Sequence, residues 1–343
     1  MDILNNAVIT YDCIKASVDV KEKELSDFSV EKGDILFQRS SETLEDVGRA
    51  NVYMDDKTSV FGGFVIRGKK KGEYDPQYFN YLLRSPFARK RIIPMGAGAQ
   101  HFNIGQEGLS KVKLHFANIE EQKKIGNFLS LLDERIATQN KIIEDLKKLK
   151  CAIIEKVYSE IQGKEYSYGQ LFDVVNERNK QMEYSNILSA SQEKGMVNRD
   201  DLNLDIQFER SNINTYKIVK KGDYVIHLRS FQGGFAFSDK LGVCSPAYTI
   251  LRPNSILEYG YLSNYFTSQR FIKSLVLVTY GIRDGRSINV DEWLRMKITI
   301  PPKEHQQYIV KVIGTFERKI EDEEAYAAQL SIQKQYLLRQ MFV

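Results

Sequence analysis

Arg39, Ser40 and Ser41, the basic turn of Arg67, Lys69, Lys70 and Lys71, and the group Gln100, His101, Asn103 carry the most specific chemistry in the first half of this chain. Arg229, Ser230, Gln232, Arg283, Arg286, Ser287 and Asn289 are their counterparts in the second half. A guanidinium pairs bidentately with guanine and a carboxamide with adenine, so loops with Arg beside Asn, Gln and Ser hold the groups that read base edges in duplex DNA. The lysine run suits phosphate contacts or a solvated turn better than base reading. Any one of these residues alone is also an ordinary surface side chain.

Catalytic patterns are absent. The chain has no GxGxxG, no GxxxxGK[ST], no HExxH and no GxSxG. The glycines of "GAGAQHFNIG" (96–105) follow no strand of a βαβ unit, so a nucleotide loop is not expected there. The four histidines, at 101, 115, 227 and 305, lack partners at metal-ligand spacing. Pairs such as Glu120-Glu121 and Asp133-Glu134 fit solvated ion pairs on a helix. A binding chain without its own catalytic group, metal or cofactor is expected.

The elements that must position these loops occur twice. Residues 119–158 and 303–342 align without a gap at an offset of 184, with Glu120-Glu121-Gln122 on Glu304-His305-Gln306. Ahead of them, "VEKGDILFQRS" (30–40) matches "VKKGDYVIHLRS" (219–230), and "YFNYLLRS" (78–85) matches "YLSNYFTS" (261–268). This spacing is too long for a solenoid repeat and marks a duplicated module. In the second copy, short β-rich runs parted by glycine turns precede an amphipathic helix, which predicts α+β modules. The frameworks agree while the loops after Gly33-Asp34 and Gly222-Asp223 differ, as two readers of unlike half-sites would.

The long segments carry a heptad seam: Ile125, Leu129, Leu132, Ile136, Ile143, Leu146, Ile153 and Val157 in the first, Ile309, Ile313, Phe316, Ile320, Ala327, Leu330, Leu337 and Met341 in the second. Gln139 and Lys150 interrupt the first seam, Glu323 and Lys334 the second. An antiparallel pair is expected, with Lys150 opposite Glu323, Gln139 opposite Lys334, Leu132 near Met341, Ile136 near Leu337 and Val157 near Phe316. Each helix would be a rod of roughly 60 Å, longer than one turn of DNA. The expected boundaries are 1–116 for a first recognition domain, 117–160 for the central helix, 161–300 for a second recognition domain and 301–343 for the terminal helix.

At 343 residues, with 42% hydrophobic and 27% charged residues, the chain suits two soluble domains. No apolar run is long enough to span a membrane and no signal peptide stands at the N-terminus, so a cytoplasmic location is expected. Cys13, Cys151 and Cys244 lie far apart and are expected to be free thiols. A net charge of +4 is mild for a protein that would hold DNA alone, so partners should supply much of the phosphate binding.

Two modules with "GD" turns, each followed by a tail of the form P…EQ…I…L…LD..I, resemble the specificity subunit of type I restriction-modification systems. The tails read "FANIEEQKKIGNFLSLLDERIATQNKIIEDLKKLK" and "IPPKEHQQYIVKVIGTFERKIEDEEAYAAQLSIQK". The resemblance spans nearly the whole chain. It implies a non-catalytic subunit with two target recognition domains on antiparallel helices, each domain reading half of a bipartite double-stranded DNA sequence. It also implies two docked methyltransferase subunits that methylate adenine with S-adenosylmethionine, and restriction subunits as further partners. The absence of an NPP[FY] motif agrees with that division of labour, since Pro301-Pro302 lacks the flanking Asn and aromatic residue. Two other classes stand beside this one: a protein scaffold gripping two copies of a partner, and a degenerate methyltransferase, which would need a cofactor loop.

One departure stands out. About 50 residues separate Tyr168 from the Gly222-Asp223 turn, whereas 32 precede Gly33, so the first module lacks a counterpart of residues 168–189. A late start of the coding region, a shortened module or a separate completing piece would each account for it.

Overall fold

The computed structural model describes residues 2–98, 100–191, 194–201, 210–227, 234–280 and 287–342. The chain forms two compact units, Met1–Ile142 with Glu323–Val343, and Ile143–Asp322.

In the first unit, Ile35–Gln38 is the central strand of a three-stranded antiparallel sheet, between Ala50–Val52 and Val65–Gly68. Two helices follow, Pro76–Arg84 and Pro86–Ile92. Each starts with proline after a capping side chain, Asp75 accepting from the Tyr78 N–H at 2.7 Å and Ser85 from the Ala88 N–H. Their apolar faces close on the sheet through Leu83, Ala88 and Ile92 against Val47, Ala50, Ile66 and Ile104.

The second unit extends the same plan. Its four-stranded sheet runs Phe235–Phe237, Tyr224–Ile226, Thr249–Pro253, Phe172–Val175, and Lys164–Ser167 pairs with Lys297–Ile300. Its core is rich in aromatic rings, with Tyr168, Phe172, Tyr224, Phe235, Phe266 and Phe271 gathered around the fully buried Trp293.

The duplicated Gly-Asp turn has one physical explanation in both units. Gly33 and Gly222 have φ of 92° and 93°, a left-handed conformation in which a Cβ is strained. The aspartate that follows is buried and accepts the N–H three residues back, Glu31 to Asp34 at 3.0 Å and Lys220 to Asp223 at 2.9 Å.

The long helices are Ile119–Ser159 and Lys303–Met341. Gln122 and Gln306, 184 residues apart, are buried and tie each helix start to its module. The Gln122 side chain accepts from Asp75 N and donates to Ala117 O; that of Gln306 accepts from Glu258 N and donates to Ile256 O and Pro301 O. The expected seam is buried or half-buried throughout: Leu132, Ile136, Ile143, Leu146 and Lys150 on one helix, Phe316, Ile320, Glu323, Leu330 and Leu337 on the other.

Within each unit the helical segments run antiparallel as expected, in a register that differs from the expected one. Gln139 donates to the Glu323 carboxylate rather than facing Lys334. Lys150 reaches Glu317 at 2.7 Å rather than Glu323, and Lys334 reaches Asp133. The expectation set seam charges directly opposite each other. Lysine stems instead bend out of the seam to carboxylates on its flank, which keeps the ammonium groups near water. The two ion pairs are one contact made twice, since Glu317 lies 184 residues after Asp133 and Lys334 lies 184 after Lys150.

Because Gln139 is buried against Glu323, Glu323→Lys should lower helix-pair stability by about 1 to 2 kcal/mol. Thermal unfolding followed by circular dichroism checks this, and an unchanged melting temperature would contradict the assigned register.

Among the described residues no helix is long and apolar enough to cross a membrane, no acidic, His and Cys cluster is placed to hold a metal, and the three cysteines are free.

Candidate nucleic-acid interface

The central strand of the first unit leads directly into the candidate reading residues. Arg39 follows it, with its N–H bonded to Phe64 O at 2.8 Å and its carbonyl accepting from Ile104 N at 2.9 Å. Ser40–Ser41 then pairs antiparallel with Phe102–Asn103, and the Ser40 hydroxyl donates to the Asn103 side chain. Ala97 and Asn103 exchange backbone bonds at 2.8 and 2.9 Å, which closes the turn that carries the exposed Gln100 and His101. Arg39, Ser40, Ser41, Gln100 and Asn103 are therefore brought together on a backbone fixed from both sides, and the Arg39 and Gln100 side chains are exposed.

The turn after Ser41 is held from below. Arg89 donates to the carbonyls of Glu45 and Val47 at 2.7 Å, and burial, with Arg49 nearby, pulls its pKa down to about 10. A cavity of about 280 Å³ there is lined by Arg49, Arg84, Arg89 and Glu45.

Sequence reasoning missed Phe64, which is 77% exposed beside the backbone of Arg39. The signal was Gly62-Gly63, two residues with open space around them just ahead of an aromatic ring.

The basic turn is not part of this cluster. In the sheet register Gln38 faces Val65 and Ile35 faces Gly68, so Lys69 and Lys70 leave the opposite end of the strand from Arg39. Both are exposed, with Lys70 Nζ 5.5 Å from the Tyr74 ring. Arg67 is engaged within the unit, donating to Ser29 O and lying over the Phe61 ring.

In the second unit Arg229, Ser230, Gln232, Arg283 and Arg286 lie outside the described residues. The described residues on either side of them are paired. His227 N bonds Gly234 O at 2.8 Å, and Thr279–Tyr280 pairs with Ser287–Ile288. Asn289 is the N-cap of the helix Val290–Arg295, accepting from Glu292 N and donating to the Glu292 carboxylate. Its carboxamide is thus committed to helix capping. Val276 and Leu277, which sequence reasoning also missed, are each 75% exposed just before the Thr279–Tyr280 strand.

Comparison with known proteins gives a consistent result. A Methanocaldococcus jannaschii protein described as a type I restriction enzyme MjaX specificity subunit is 23% identical over 326 residues, covering 88% of this chain and 76% of that protein. The HsdS subunit from Thermoanaerobacter tengcongensis has a similar fold, with a TM-score of 0.52 at 15% identity over 91% of this chain and 81% of the other. So does the type I restriction-modification S subunit from M. genitalium, with a TM-score of 0.51 at 15% identity over 92% and 84%. A chain from a structure of type I restriction-modification complex assembly gives 0.59 at 14% identity over 92% and 82%. The family model for the type I restriction modification DNA specificity domain matches residues 1–148 and 163–331, and the chain belongs to that family of specificity subunits.

Proposed function

We propose that this chain chooses the DNA sequence for a type I restriction-modification complex, each recognition domain reading one half of a bipartite target. The domains are residues 1–116 and 161–300. The helical segments 117–160 and 301–343 set the spacer and dock two methyltransferase subunits. Those partners bind S-adenosylmethionine and carry the chemistry, restriction subunits join the same assembly, and this chain supplies no catalytic group.

The observation that carries this reading is the Arg39, Ser40, Ser41, Gln100 and Asn103 cluster. Its backbone is braced by two strand pairings, Ser40 and Asn103 bond each other, and the Arg39 and Gln100 side chains are exposed. Rigid backbone and outward donors are what base-edge readout needs, because side chains placed in advance lose little entropy on binding. Arg229, Ser230, Gln232, Arg283 and Arg286 take the same part in the second domain, and Lys69 and Lys70 neutralise phosphates. Helix docking is supported by Phe128, Leu131 and Ile142 in the first unit and Leu149 in the second, all exposed on the first long helix outside the seam.

The test is to co-express the chain with its methyltransferase partner and map methylated adenines across a genome by single-molecule sequencing. A bipartite motif with a fixed gap is expected; no motif at all would favour a protein scaffold instead. Arg39→Ala should relax one position of the first half-motif, losing about 1 to 3 kcal/mol of discrimination. Weakening that is uniform across sequences would make Arg39 a phosphate contact.

A further inference from the structure

Three arginines of the first unit line one cavity, and the frame shared by the two units does not require them. Arg49 ends the turn before the strand Ala50–Val52, Arg84 ends the helix Pro76–Arg84, and Arg89 lies in the next helix, Pro86–Ile92. With Glu45 and several apolar side chains they enclose about 280 Å³. The N-capping serines Ser85 and Ser268 align the helices of the two units, which puts Thr267 and Ile272 where the first unit has Arg84 and Arg89. The sheet registers likewise put Gly234 where the first unit has Arg49.

Two of the guanidiniums are fixed by groups that do not neutralise them. Arg84 donates to Ala50 O at 3.3 Å and Asn6 O at 2.7 Å, and Arg89 Nη2 donates to the carbonyls of Glu45 and Val47 at 2.7 Å. Carbonyl oxygens satisfy N–H groups but leave the cation in place. Among the described residues no carboxylate forms an ion pair with Arg84 or Arg89. Asp133, which acts on Arg84 at longer range, bonds Tyr81 and Lys334, and Asp46, which acts on Arg89, bonds Arg49 Nε at 2.8 Å. Arg89 Nη1 is buried and meets no acceptor among the described residues. Three cations against Glu45 and Asp46 leave the lining positive, and burial together with Arg49 lowers the pKa of both Arg84 and Arg89. A buried charged donor without an acceptor is costly and like charges around one cavity repel, and a single anion relieves both.

We propose that this cavity binds the oxyanion of a phosphate group. A guanidinium offers paired donors to phosphate oxygens, and three of them carried by separate elements suit a tetrahedral anion better than a planar carboxylate. The cavity also adjoins the reading cluster. Arg89 holds the carbonyls of the turn that follows Ser41, and Gln38 N bonds Arg49 O at 2.8 Å, so Arg49 lies across the sheet from the strand end that leads into Arg39. The phosphate is either a backbone phosphate of the target DNA, next to the base edge that Arg39 reads, or a free phosphate. The DNA source rests on the function proposed for the first unit, whereas the anion site itself does not.

The probe is inorganic phosphate, added to the full 343-residue chain and compared with sodium chloride at matched ionic strength and pH. A saturable rise in melting temperature is expected in phosphate, with new hydrogen-exchange protection in residues 43–49. Arg49→Gln should weaken phosphate binding by about tenfold or more. The Arg49 side chain is 50% exposed, so this variant should fold. Lys111→Gln removes the same charge from an exposed position outside the cavity and should leave phosphate binding unchanged. Equal stability in phosphate and chloride overturns the proposal, as does stabilisation that survives Arg49→Gln or that Lys111→Gln removes equally. The source is read from the complex co-expressed with its methyltransferase. Arg49→Gln should lower the slope of log affinity against log salt by about 1 if a DNA phosphate occupies the cavity, with the methylated motif unaltered. An unchanged slope beside phosphate stabilisation assigns the site to free phosphate. Absence of any methylated motif removes the DNA source and leaves the phosphate measurement to decide the anion site.

Discussion

Trp293→Ala is expected to lower the stability of the second unit by about 3 to 5 kcal/mol. The indole is fully buried, stacks on Tyr168 at 4.2 Å and packs edge to face or tilted against Phe172, Phe235 and Phe266. Alanine would leave a void bounded by rings that cannot collapse, since each is fixed by its own strand or helix. Shape is the whole contribution, because the indole N–H is buried and finds no acceptor among the described residues. Trp293→Phe should therefore cost only roughly 1 to 2 kcal/mol, the loss from a smaller ring being offset by removal of an unpaired donor. The first unit is an internal control: Leu109 stands 184 residues earlier and is half-buried, so Leu109→Ala should cost less, about 1 to 2 kcal/mol. Denaturant unfolding and hydrogen exchange at the strands of each unit check all three. A phenylalanine variant as unstable as the alanine variant would mean that the indole N–H has a partner.

How much of this was legible in the sequence follows from where the physics is local. The heptad seam was, because helical period alone decides which residues face the partner, and Gln139, Ile143, Ile320 and Leu330 are buried as that period requires. The Gly33-Asp34 and Gly222-Asp223 turns were also legible, since a left-handed backbone leaves glycine almost no substitute. Helix register was not. It depends on whether a lysine spans the seam or bends to its flank, and Lys150 and Lys334 both bend, to Glu317 and Asp133. The shortfall of the first module was visible as a mismatch in spacing. Its consequence, that among the described residues Val65–Gly68 pairs on one side only where Thr249–Pro253 pairs on both, needed the strand pairings of both units. Among site residues, Arg39, Ser40, Ser41 and Gln100 are brought together by the pairing of Ser40–Ser41 with Phe102–Asn103, a contact between residues about 60 positions apart that no local pattern shows. Arg67 and Asn289 do not join such a cluster, because a strand-borne guanidinium and a residue ahead of a helix each met a nearer backbone partner.

Arg252→Ala is the second large effect, expected at about 3 to 5 kcal/mol in the second unit. The guanidinium donates two bonds of 3.0 Å to both oxygens of Asp223, whose side chain is only 2% exposed, and a third of 2.6 Å to Glu177. Alanine would strand a buried carboxylate whose remaining partner among the described residues is the N–H of Lys220. The penalty is mostly that stranded charge, so Asp223→Asn added to Arg252→Ala should recover part of the loss, and a double-mutant cycle by urea unfolding measures how much. Glu177 adds a pH signature. Its bonds to Lys220 and Arg252 hold its pKa below the ordinary carboxylate value, so it stabilises the fold above that ordinary value. That contribution disappears as pH falls through the lowered value, and it should be smaller in the Arg252→Ala chain. Glu177 lies two residues after the strand Phe172–Val175, so the network ties the outer strand to the Gly-Asp turn. In the first unit, Asp34 keeps the turn bond to Glu31, but among the described residues no arginine pairs with it. Asp34→Asn should therefore cost less than Asp223→Asn in otherwise unaltered chains. Equal costs would show that the turn, and not the arginine bridge to the outer strand, is what the buried aspartate supports.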